Sequence, residues 1–158
     1  MKITIASGPM SFRNIIDAQN DNSKIIFFRT GVSCGFPSPA DDFLEKSIDL
    51  SEHLIKHPAA TFIVVADGDS MQGVGIYSGD KLIVDRSLEP IHGDIVIVSI
   101  DGQLTCKQLD LDHKCFRSAN PEVSDIAIED DLDIICEGVV TYCLHSLDFR
   151  DSRRVRPV

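Results

Sequence analysis

The chain has 158 residues, of which 43% are hydrophobic and 25% charged, with 6% aromatic residues and no Trp. That length and apolar content suit one folded domain with a short appendage rather than a disordered chain. A formal net charge of −10 at pH 7 argues against tight unaided binding to nucleic acid, whose phosphates such a surface repels, and the shortage of aromatics argues against a base-stacking module.

In chain order, residues 1–40 read as an N-terminal arm. Gly8-Pro9, Asn20-Asp21-Asn22 and Pro37-Ser38-Pro39 are breakers, out of place inside helices or strands. Ile25 to Phe28 is a brief apolar run suited to a strand or to docking. A short helix is expected over Asp49–His57, where Leu50 and Leu54 share a face and Pro58 stops it. Strands are expected over Thr61–Ala66, Lys81–Asp85, Asp94–Ile100, Gln103–Leu109, around Phe116, over Ile126–Ile128 and over Ile134–Leu144. Asp101-Gly102 is a strong two-residue hairpin signal. The pattern predicts a mainly β protein: a compact core of short strands over 41–148 with a short helix, an extended arm before it, and a tail over 149–158. Arg150, Arg153, Arg154 and Arg156 crowd that tail, which reads as a solvated terminus.

The five cysteines, Cys34, Cys106, Cys115, Cys136 and Cys143, form no CxxC pair. Neither a structural zinc site nor a disulfide framework is expected, and reduced thiols fit a cytoplasmic protein. Neither a signal-peptide core nor a membrane-length apolar run is present in the sequence.

Two residues carry the candidate chemistry. Ser70 follows a predicted strand within Gly68-Asp69-Ser70-Met71, where a turn can project its hydroxyl. The GxSxG elbow does not apply, because position 72 is Gln. Lys107 lies in the second strand of the predicted hairpin, where the Asp101-Gly102 turn sets it opposite Val96. Taken singly, Ser70 reads as an ordinary turn serine and Lys107 as an edge-strand lysine in water. Taken together they suit a serine–lysine dyad, in which a desolvated, neutral amine removes the hydroxyl proton. The histidines offer no competing motif. His53 and His57 are four apart, but Leu54 stands where HExxH needs Glu.

At this point the chain resembles the LexA/UmuD family of self-cleaving proteins. The likeness is carried by Cys34-Gly35-Phe36-Pro37-Ser38-Pro39-Ala40, Gly68-Asp69-Ser70-Met71, Gly79-Asp80-Lys81-Leu82-Ile83-Val84-Asp85, His92-Gly93-Asp94-Ile95-Val96-Ile97, and Asp101-Gly102 with Thr105 and Lys107. It covers roughly residues 30 to 145, and the order and spacing of the motifs fit as well as their composition.

The resemblance implies a scissile Cys34–Gly35 bond, Ser70 as nucleophile, Lys107 as base, and an oxyanion hole of backbone N–H groups at Asp69 and Ser70. It implies no cofactor and no metal. It implies a homodimer, cleavage promoted by a RecA–single-stranded-DNA filament in the SOS response, and a trimmed product that joins a UmuC-type polymerase in translesion synthesis. No membrane partner is expected. Gly35 has a physical reading too, since a glycine lets the backbone fold tightly into a cleft.

Departures from the family pattern are the longer N-terminal arm, the arginine-rich tail and Gln72-Gly73-Val74-Gly75 after the Ser-Met pair. Among alternatives, a repressor needs a helix-turn-helix ahead of the cleavage site, and residues 1–33 are too short and broken for one. A signal peptidase needs a membrane segment. A non-catalytic interaction subunit with a vestigial dyad stays open at this stage.

Overall fold

The computed structural model of the chain describes residues 49–147, together with the backbone of three earlier strands, β1 (Thr4–Ile5), β2 (Ile25–Phe28) and β3 (Glu45–Ile48). The Cys34–Gly35 bond, the oligopeptide around it and the arginine-rich tail lie outside the described residues.

Two units make up the chain. In the unit Phe12–Lys56, β2 pairs antiparallel with β3, Ile25 opposite Ile48. Ile25 to Phe28 is thus a strand, and its partner Glu45–Ile48 carries no strand signal in the sequence. The helix α1 spans Leu50–Leu54. Asp49 caps it by accepting the Ser51 and Glu52 N–H groups at 2.8 and 3.2 Å, as a short acidic side chain does at a helix start. The helix ends before the expected His57.

The other unit, Met1–Ser11 with His57–Val158, is built on one sheet. Its strands are β4 (Thr61–Val65), β5 (Lys81–Asp85), β6 (Ile95–Ile100), β7 (Gln103–Asp110), β8 (Cys115–Arg117), β9 (Ile126–Ala127) and β10 (Ile134–Leu144). Their order is β4-β5-β10-β6-β7-β8-β9, and β1 pairs with β10 in parallel. Among the described residues the protein is mainly β with one short α-helix, as the turn-punctuated pattern predicts. Among the described residues no helix is long and apolar enough to cross a membrane.

The hairpin β6–β7 sets up the site. Asp101 and Gly102 both have positive φ, 48° and 79°, the mirror-image turn whose twist matches a hairpin. The resulting register puts Val96 opposite Lys107 and Val98 opposite Thr105. Strand β6 is apolar on both faces because both are covered. Val96 and Val98 pack with Leu109, Phe116, Ile134, Cys136 and Val139, while Ile97 packs with Met71, Ile76, Leu82 and Val84. Burying such side chains contributes about 1.5–3 kcal/mol each. Strand β8 pairs with β7 only from Gln108 onward, so Lys107 is laddered to β6 alone, yet it is buried and the reading of it as a lysine in water does not hold.

Candidate active site

Ser70 sits in the connection from β4 to β5. Gly68 turns the chain there with φ at 89°, and Met71, 3% exposed, anchors the next residue in the core. Three consecutive carbonyls of this loop are held. Asp69 O accepts the Gln72 N–H at 3.2 Å, Ser70 O the Ala119 N–H at 2.8 Å, and Met71 O the Val74 and Ile76 N–H groups.

The connector between β8 and β9 lies against this loop. The Ser118 hydroxyl also donates to Ser70 O, at 2.8 Å, the Asn120 amide donates to Asp69 O at 3.3 Å, and the Gly73 N–H donates to Ala119 O at 2.8 Å. Asp125 in turn accepts the Ser118 N–H at 2.8 Å.

The structure brings Ser70 and Lys107 together. Lys107 Nζ lies 2.9 Å from Ser70 Oγ and also donates to the Cys106 carbonyl at 3.3 Å. Lys107 is only 5% exposed. Burial pushes its pKa below the ordinary lysine value, while Cys106 and Asp125 pull the other way. Desolvation wins because an ammonium inside the protein loses its hydration without gaining a full ion pair. No charge partner for Lys107 is evident in the sequence motifs; the fold supplies Asp125, which is 18 residues further on.

A cleft of about 210 Å³ opens beside Ser70, lined among others by Val64, Ala66, Met71, Ile97, Leu104 and Cys106. Its walls are mostly apolar, with Ser70 as a polar group at its edge. The Cys106 thiol is pushed up to about 11, by burial and against the effect of Lys107, so it stays protonated and is a poor rival nucleophile. The cysteines among the described residues, Cys106, Cys115, Cys136 and Cys143, are free thiols.

The histidines lie in other settings. His57 Nδ1 meets the buried Asp85 at 2.6 Å, and His145 Nδ1 meets the buried Asp80 at 2.6 Å. His92 lies near Asp110 and Asp112, a set of potential metal ligands. Asp110 there is already engaged by Arg117 Nε at 2.6 Å and by His113.

Ser118, Ala119, Asn120 and Asp125 carry no signal in the sequence. They fall between the strands expected around Phe116 and over Ile126–Ile128, and only the tertiary structure brings them onto the serine loop.

A loop serine hydroxyl against a buried, hydrogen-bonded lysine beside an apolar cleft is an arrangement suited to serine–lysine hydrolysis. A family model described as Peptidase S24-like matches residues 26–141, and the chain belongs to that family. It is 40% identical over 140 residues to Protein ImpA of Salmonella typhimurium, covering 82% of this chain and 90% of that one. It is 45% identical over 112 residues to Protein SamA of Salmonella typhimurium, covering 70% and 78%. It is 32% identical over 114 residues to the LexA repressor of Xylella fastidiosa, covering 71% of this chain and 53% of the repressor.

Proposed function

We propose that this member of the S24 family is a self-cleaving serine endopeptidase of the SOS response, cutting Cys34–Gly35 with Ser70 as nucleophile and Lys107 as general base. The observation that carries the reading is the 2.9 Å approach of Lys107 Nζ to Ser70 Oγ with the lysine 5% exposed.

In the reactive form the amine is neutral and takes the Ser70 proton as Oγ attacks the Cys34 carbonyl carbon. The negative charge on the carbonyl oxygen is met by backbone N–H groups at Asp69 and Ser70. Collapse breaks the C–N bond, and the Lys107 ammonium returns the proton to the Gly35 amine. Lys107 then deprotonates a water that hydrolyses the Cys34–Ser70 ester, leaving a Cys34 carboxylate and free serine.

The scissile bond comes from the same chain or from a second copy in a homodimer. A RecA–single-stranded-DNA filament promotes cutting by favouring the reactive arrangement, and the product starting at Gly35 joins a UmuC-type polymerase for translesion synthesis in the cytoplasm. The family membership and the likeness to ImpA and SamA support this role. The net charge of −10 favours engaging DNA through such partners rather than directly.

The test is purified protein held at alkaline pH and resolved on a denaturing gel with N-terminal sequencing. The expected product starts at Gly35 and is missing from Ser70→Ala, which deletes one oxygen and keeps the fold. The same product from Ser70→Ala would sink the proposal.

A further inference from the structure

We infer that Ser118 and Asn120 are positioning residues for Ser70: they hold the Asp69 and Ser70 carbonyls against the β8–β9 connector and so aim the Ser70 N–H and hydroxyl at the open side of the loop. The inference rests on the serine–lysine reading of the site and adds residues from a segment that no motif marks.

Ser70 O accepts two hydrogen bonds, from the Ser118 hydroxyl at 2.8 Å and from the Ala119 N–H at 2.8 Å. Asp69 O accepts the Asn120 amide at 3.3 Å. A trans peptide sets its C=O and N–H on opposite sides. Holding Asp69 O toward Asn120 therefore turns the Ser70 N–H away from the connector. Among the described residues no acceptor is hydrogen-bonded to that N–H, and Gly68, Ser70 and Met71 line the cleft while residues 118–120 do not. The N–H is thus left for the substrate side.

The connector is itself fixed. Asp125 holds the Ser118 N–H at 2.8 Å, the Ser118 hydroxyl accepts the Asn120 N–H at 3.4 Å, and Asn120 Oδ1 accepts the Glu122 N–H at 3.0 Å. Each side chain therefore uses one end to stay in place and the other to grip the serine loop, which is how a supporting group holds a reactive one within catalytic tolerance.

The experiment measures the rate of self-cleavage of the full chain against pH, with thermal unfolding recorded on each variant. Ser118→Ala should lower the plateau rate by roughly tenfold, and Ser118→Ala with Asn120→Ala by roughly a hundredfold, the scale of a misplaced reacting group. The midpoint of the profile should stay where it is, because Lys107 is untouched. Ser118→Thr keeps a hydroxyl donor and should restore most of the rate. A purely structural role would instead lower the unfolding temperature while leaving the plateau rate unchanged far below it. Plateau rates within twofold of wild type in both the single and the double variant would overturn the inference while leaving the dyad intact, provided Ser70→Ala is inert. Cleavage that persists in Ser70→Ala would overturn both.

Discussion

The Gly73 N–H donates to the Ala119 carbonyl oxygen at 2.8 Å, and a Cβ at position 73 would drive straight into that oxygen and its carbon. The turn after Ser70 and the β8–β9 connector are therefore in backbone contact, and glycine is what makes the contact possible. The obstacle is main chain, so it cannot swing aside as a flexible side chain would.

Gly73→Ala must part the two segments. The expected outcome is a chain that still folds its sheet but cleaves at least roughly a hundredfold more slowly, because a displacement of about 1 Å at Ser70 costs that much. Circular dichroism beside a cleavage time course checks it; wild-type cleavage by Gly73→Ala would show that the contact is dispensable.

With Lys107 as the proposed base, this residue should set the pH dependence. Its pKa is lowered by burial, and only the neutral amine can accept the serine proton. The rate should therefore rise with pH and level off at a midpoint below that of a free lysine, ~10.4. A histidine base would level off just above its own ~6.5. Lys107→Arg should be inert, since a guanidinium keeps its proton. Stability has the matching sign. The folded state releases the Lys107 proton at lower pH than the unfolded state, so this group's penalty to folding shrinks as pH rises from the folded pKa toward the unfolded one.

Asp125 opposes the depression of the Lys107 pKa. Asp125→Asn keeps an acceptor for the Ser118 N–H but removes the charge. Its cleavage profile should move to lower pH, with a gain of roughly two- to threefold below the midpoint at low ionic strength that fades as salt is added. An unmoved profile would remove Asp125 from the account of the base.

Two buried carboxylates mark the ends of β5, Asp80 just before it and Asp85 as its last residue, and both titrate below the ordinary Asp value. For Asp80, burial alone would raise the pKa, but the Tyr77 N–H, His145 and Cys143 together outweigh it. For Asp85, burial is likewise outweighed by Ser87 and His57. Groups of this kind stabilise the fold above the unfolded pKa of ~3.9, and that stability is lost as pH falls through their lower folded values. Asp80→Asn with Asp85→Asn should lose about 1–2 kcal/mol per site at pH 7 and show a flatter decline in acid. Urea unfolding at pH 7 and at pH 3 measures both. Equal losses at the two pH values would mean that the charge is irrelevant.

Local chemistry made much of this protein legible without a structure. Alternating and β-branched runs marked the strands from β4 to β10 because each element needs only its own periodicity and breakers. Asp101-Gly102 even fixed which residue faces Lys107, since a two-residue turn determines hairpin register by geometry alone. The Ser70 and Lys107 motifs stood out because the proposed reaction would demand those side chains in those settings. Strand β3 was silent because Glu45-Lys46-Ser47-Ile48 has no apolar run and depends on its partner β2. The tertiary structure alone decided that Lys107 is buried rather than solvated, with its Nζ against Ser70 Oγ. It alone decided that residues 118–125 cross behind the serine loop. Both follow from the strand order of the sheet, which is set by the summed burial of side chains far apart in the chain and leaves no mark in any short stretch of sequence.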